Sequence, residues 1–261
     1  GVPYRYDISS LGDQYDFNRR DQWLTDDDPG WGASYSDMVG KVIPGNTFDY
    51  PYIHGKAIMN AGRSFISVSC AAFSAESYNA GGFDAVDIIL GEQKSMKTAT
   101  DRLQKDFRIY SPMFVKKLTM LTGEGKNILI TGSYVGSEIV NTRDAGALKF
   151  ASSVLHFKPG TGHAVRDGGV YPTDYVHNIL KEKFTFNTGS YSGIYAAGAP
   201  DEIEPADKQS VIALRYTESK STAAVLFSGS YKTVTAGFPF ETIISEESRN
   251  RLMKQIRDFF N

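Results

Sequence analysis

A chain with a single cysteine, Cys70, can build neither an internal disulfide framework nor a metal site made of several thiolates. Tryptophan is almost as scarce, at two residues. No apolar run approaches the length needed to cross a bilayer as a helix. Neither sign of charge is in excess: 28 Lys and Arg against 30 Asp and Glu leave a net charge of −2, with no electrostatic footprint for nucleic acid. Disorder is excluded as the main description, because 41% hydrophobic residues over 261 positions supply enough apolar surface to offset ordering entropy. What the chain has in quantity is Tyr and Phe, 15 and 16 of them, which suits aromatic-lined surfaces. A single domain over residues 1–261 is the expected organisation.

Residues 1–62 read as an irregular segment packed on that domain. Turn chemistry such as Asp26-Asp27-Asp28-Pro29-Gly30 and Ile43-Pro44-Gly45-Asn46 interrupts it, yet its many aromatics argue against a disordered tail. From Ser64 the pattern turns regular. Ser64 to Cys70, Ala85 to Leu90 and Lys126 to Thr131 read as strands, expected to lie parallel in one sheet. A helix is predicted over residues 100–108. Another starts at Ser111-Pro112, with Ser as its cap and Pro at the first helical position, and crosses between strands. The stretch 141–208 is ambiguous, with a possible helix over 145–153. Val211 to Tyr216, Ala223 to Phe227 and Thr233 to Ala236 read as consecutive antiparallel strands. Ser245 then caps a final amphipathic helix.

The turn after the third predicted strand carries the strongest chemical signal. Gly132-Ser133-Tyr134-Val135-Gly136 leads from a strand into a helix, the layout of a nucleophile elbow, where flanking glycines present the middle residue above the sheet. A plain strand-to-helix turn with two convenient glycines is the alternative. Gly237-Phe238-Pro239-Phe240-Glu241 follows a late strand. Together the two blocks resemble class I glutamine amidotransferase-like domains, which carry a Gly-x-Cys-x-Gly elbow and a later Phe-His-x-Glu. The resemblance implies a three-layer, flavodoxin-like parallel sheet with C-terminal antiparallel strands. It sets Tyr134 at the cysteine position, Pro239 at the histidine and Glu241 at the glutamate. Nucleophile and base are then both missing, and a phenol with no imidazole beside it does not replace a thiolate.

Over nearly its whole length the chain also resembles exported bacterial proteins often labelled xanthan lyase or golvesin-like. This likeness rests on Asp49 to Gly55, Ile89-Leu90-Gly91-Glu92, the elbow and Gly237 to Ile243. It implies a secreted or periplasmic location, a glycan or peptidoglycan-derived substrate, and neighbouring modules of a longer chain.

Glu92 lies just past a strand, at the end where open αβ sheets place their ligand crevice. With Glu241 it can converge on Tyr134, a pairing suited to acid/base work or sugar recognition. Equally, each carboxylate can serve as a structural acceptor. Of the four histidines, His54 alone lies in a block shared with the exported group and can reach the site; a structural role is its alternative. His156, His163 and His177 show no ligand spacing, so no metal is expected. The glycine patterns match no nucleotide fingerprint, so no cofactor is expected either. Two function classes follow. One is a hydrolase-like enzyme using Glu92, Tyr134, Glu241 and His54; the other is a non-catalytic carbohydrate-binding or structural module.

Overall fold

The computed structural model describes residues 50–94, 96–97, 106–176, 178–189 and 196–261. Most of the aromatic-rich N-terminal segment, His177 and most of the helix expected over 100–108 lie outside the described residues. The final two positions before Arg108 are not helical: Asp106–Phe107 (β3) pairs antiparallel with Met96–Lys97 (β2).

Helix α1, Tyr50–Asn60, corrects the expectation of irregular structure up to residue 62. Pro51 and Gly55 disguise it as turn chemistry. Yet Tyr50, His54, Ala57 and Ala61 are spaced along one helical face, and all four are buried. Gly62, at φ +82°, ends the run in the left-handed region.

The strand expected from Ser64 to Cys70 is absent. Residues 63–69 have no regular structure, and Phe65, Ile66 and Val68 are exposed there. Ser69 caps helix α2 (Cys70–Ser74) by accepting the Ala72 amide at 3.2 Å. Local side-chain capping has overridden a β-branched composition whose strand preference depends on a paired neighbour.

The main sheet has seven strands in the order β1-β4-β11-β10-β9-β6-β7. Its parallel part is β1 (Ala85–Gly91), β4 (Asn127–Gly132) and β11 (Lys232–Ala236), with β4 between the other two. β10 (Thr222–Ser228) runs antiparallel to β11 and to β9 (Ser210–Tyr216). Short strands β6 (Gly169–Pro172) and β7 (Phe184–Thr185) extend the far edge, also antiparallel. A separate two-stranded sheet joins β5 (Phe157–Pro159) and β8 (Ile203–Pro205). The flavodoxin-like parallel sheet is therefore corrected to a mixed sheet, because only two of its six strand pairings, β1 with β4 and β4 with β11, are parallel. The cause lies in the connections. Tight turns join β9 to β10 and β10 to β11, and a turn that short can only reverse the chain.

Helices cover both faces. On one side α1 and the C-terminal helix α6 (Glu246–Phe260) share a core with Leu129, Val234 and Phe240. On the other, α3 (Pro112–Gly123), α4 (Ser137–Thr142) and α5 (Ala145–Ser153) enclose Ile128, Ile130 and Val225. The caps read from sequence are formed: Ser111 accepts the Phe114 amide and Ser245 the Ser248 amide. Among the described residues, no helix is long and apolar enough to cross a membrane.

Candidate functional site

The carboxyl ends of β1, β4 and β11 deliver three loops to one edge of the sheet. β4 ends at Gly132, and the turn 133–136 feeds α4, so the strand–turn–helix context of an elbow is present. Gly132 has to be glycine: a Cβ there would stand 2.5 Å from the Leu90 Cβ on the neighbouring strand. Ser133 is buried, while Tyr134 is half-buried, with its ring 5.8 Å from the Lys94 ammonium.

Glu92 follows β1 and is half-buried beside the elbow. The Ser133 hydroxyl donates to its Oε1, and the Gly198 amide donates to the same oxygen at 3.0 Å. Burial pushes the carboxyl up to about 7 against these two hydrogen bonds, and the negative charge of Glu241 adds to the push. Protonated and ionised Glu92 therefore coexist near neutral pH.

Glu241 sits in a short 3₁₀ turn, Phe240–Thr242, after β11, and it is fully buried. Its Oε2 accepts from His54 Nε2 at 3.1 Å. On the other side of the ring, His54 Nδ1 donates to Asp87 Oδ2 at 2.7 Å. Burial alone would lower the imidazole's pKa. Asp87 and Glu241 more than offset this and raise it to about 10, so His54 is an imidazolium locked between two carboxylates. The Phe240 ring packs edge-on against it at 4.7 Å. Of the four candidates, the structure brings Glu92 and Tyr134 to the elbow. His54 and Glu241 are bound to each other beneath the surface.

The sequence matches no family model and no curated protein. A solved structure with a partial likeness is the exo-β-1,4-mannosidase Op5Man5 from Opitutaceae bacterium strain TAV5. It has a TM-score of 0.46 and 11% identity, and the match covers 80% of this chain and 30% of that one. The present chain thus spans under a third of that protein's length, and a likeness this distant carries no argument about chemistry.

Three residues at or near the site were not singled out from the sequence. Asp87 lies inside an apolar run on β1, where alternation hides one carboxylate among Val86, Ile88 and Ile89. Ser133 is next to the expected elbow residue, and its hydroxyl hydrogen-bonds Glu92. Asp201, from the ambiguous stretch before β8, is fully buried, and its Oδ2 accepts the Gly136 and Ser137 amides, each at 2.7 Å. It thereby holds the elbow from below. Burial pushes its carboxyl up to about 7 despite those bonds. No sequence spacing links residue 201 to residue 136; only the folded chain does.

Proposed function

We propose that the protein is hydrolase-like and acts on a glycan, with Glu92 as the group that carries the proton. One observation carries the reading. Glu92 stands at the carboxyl end of the parallel strands, held by Ser133 and Gly198, with a carboxyl poised near 7 by burial. Cleavage of a glycosidic bond needs a carboxylic acid still protonated at working pH to protonate the departing oxygen. Tyr134, half-buried at the same turn, carries a ring that suits a sugar face. Glu241 does not take the role of second catalytic carboxylate, because His54 occupies it in the interior; its charge acts on Glu92 from a distance. Export is part of this proposal and rests on the resemblance to exported bacterial proteins.

A second reading, a carbohydrate-binding module without turnover, is favoured by the phenol at the elbow position and by the burial of Glu241. The test is a panel of oligosaccharides and peptidoglycan fragments incubated with the protein and with Glu92→Gln. New reducing ends should appear with the native chain and fall by about a hundredfold or more in the variant. Sugar binding that survives in Glu92→Gln, with no cleavage by either protein, selects the module.

A further inference from the structure

We propose that the outer edge of β1 is a docking slot for an extended peptide, which adds as an eighth strand with a basic side chain opposite Asp87. β1 pairs only with β4 among the described residues. The Asp84 carbonyl accepts the Asn127 amide, which sets the alternation. The N–H and C=O groups of Val86 and Ile88 then point to β4, and those of Ala85, Asp87 and Ile89 point away from it. No backbone hydrogen bond joins these three to another described residue. A row of unpaired backbone donors and acceptors along a strand is a template for one kind of ligand, another strand.

Space for such a strand exists. A cavity of about 690 Å³ runs along β1, bounded by α1 on one side, α2 on the other and residues 64–69 on the outside. Residues 64–69 do not close it by pairing. Their anchor is Phe65, whose ring lies 2.1 Å from where a side chain on Gly55 of α1 would begin. That glycine is what lets the Phe65 ring seat directly against α1.

The lining specifies the ligand. On the α2 face, Val86 and Ile88 look towards Phe73 and Phe114, so residues of an added strand on that side must be apolar. On the α1 face lies Asp87. Its Oδ2 accepts from His54, but its Oδ1 is buried with no hydrogen-bond partner among the described residues. A buried carboxylate oxygen left unpaired costs stability, and a lysine or arginine directly across the new ladder would satisfy it. Asp84, well exposed at the mouth, is already paired with Arg63 at 3.9 Å, so the demand for a cation rests on Asp87 alone. Apolar–basic–apolar is therefore the pattern that fits.

The experiment uses the whole chain and labelled Thr-Val-Lys-Val-Thr, with fluorescence anisotropy for affinity and amide hydrogen exchange for place. Binding should slow exchange at Ala85, Asp87 and Ile89, and leave Val86 and Ile88, already paired to β4, unchanged. Replacing the central Lys with Glu, or N-methylating the peptide amides that face β1, should weaken binding about a hundredfold. Equal binding of the N-methylated peptide would make the slot a mere apolar pocket and overturn the proposal. So would protection elsewhere, or no binding of the native peptide at millimolar concentration.

Discussion

Alkaline pH should withdraw stability from this fold, and His54 sets the size of the loss. Its imidazole has an ordinary value of 6.5 and is held protonated to about 10 in the folded chain. Above 6.5 the unfolded chain has released that proton and the folded chain has not, so unfolding sheds one proton. Stability then falls by about 1.4 kcal/mol per pH unit. The contribution is complete below 6.5 and gone once the pH passes about 10. Across the whole window the loss approaches about 5 kcal/mol, a large part of the roughly 5–15 kcal/mol that holds an ordinary domain together. Urea unfolding followed by circular dichroism, between about pH 7 and pH 9, measures the slope. His54→Asn should flatten it and cost about 3–5 kcal/mol at neutral pH, because Asp87 and Glu241 lose the cation between them. A native slope below about 0.3 kcal/mol per unit, or a variant within about 1 kcal/mol of the native chain, would refute the locked imidazolium.

Other outcomes are equally concrete. Glu92→Gln should raise stability at about pH 8 by roughly 1–3 kcal/mol, since the native carboxyl favours folding below 4.5 and that contribution is lost as pH rises through about 7; an unchanged urea midpoint would count against its desolvation. Asp201→Ala should cost about 2–3 kcal/mol, and Asp201→Asn clearly less, because Asn keeps an acceptor for the Gly136 and Ser137 amides. Gly237→Ala should unfold the protein or cost at least about 1–3 kcal/mol in a melting experiment, because its Cβ would stand 2.1 Å from the Asp201 carbonyl oxygen.

The parts of this fold that can be read from sequence are those whose pattern is local. β4, the strand-to-helix turn after it and α3 follow from a continuous apolar run, two glycines and a Ser-Pro cap, and the hairpins of β9 to β11 follow from alternation between short turns. Helix α1 escapes because its buried stripe contains His54, whose partners are 33 and 187 residues away. Residues 64–69 mislead in the opposite direction, since strand-like composition says nothing about whether a neighbouring edge will accept it. The mixed sheet escapes for a related reason: a resemblance built on two loops does not fix how the strands between them are ordered. At the candidate site, the position of Glu92 just past β1 is legible from sequence. Its partners Ser133 and Gly198 are not, because the second comes from a glycine-rich stretch with no periodicity.

The order of strands also governs how the chain can be made. β4 is complete at residue 132, but its second parallel neighbour, β11, ends only at residue 236. At ordinary elongation rates the gap is roughly 5–20 s of synthesis. Throughout it the growing polypeptide carries the bare edge of Ile128, Leu129 and Ile130, three residues that are all but fully enclosed in the finished molecule. A nascent chain in that state can pair wrongly with its own hairpins or with a neighbour on the same message. Any product ending before residue 232 keeps this defect permanently, because β4 and β10 both pair with β11 and not with each other. Such a fragment holds two separate half-sheets with facing open edges, and aggregation is its expected fate.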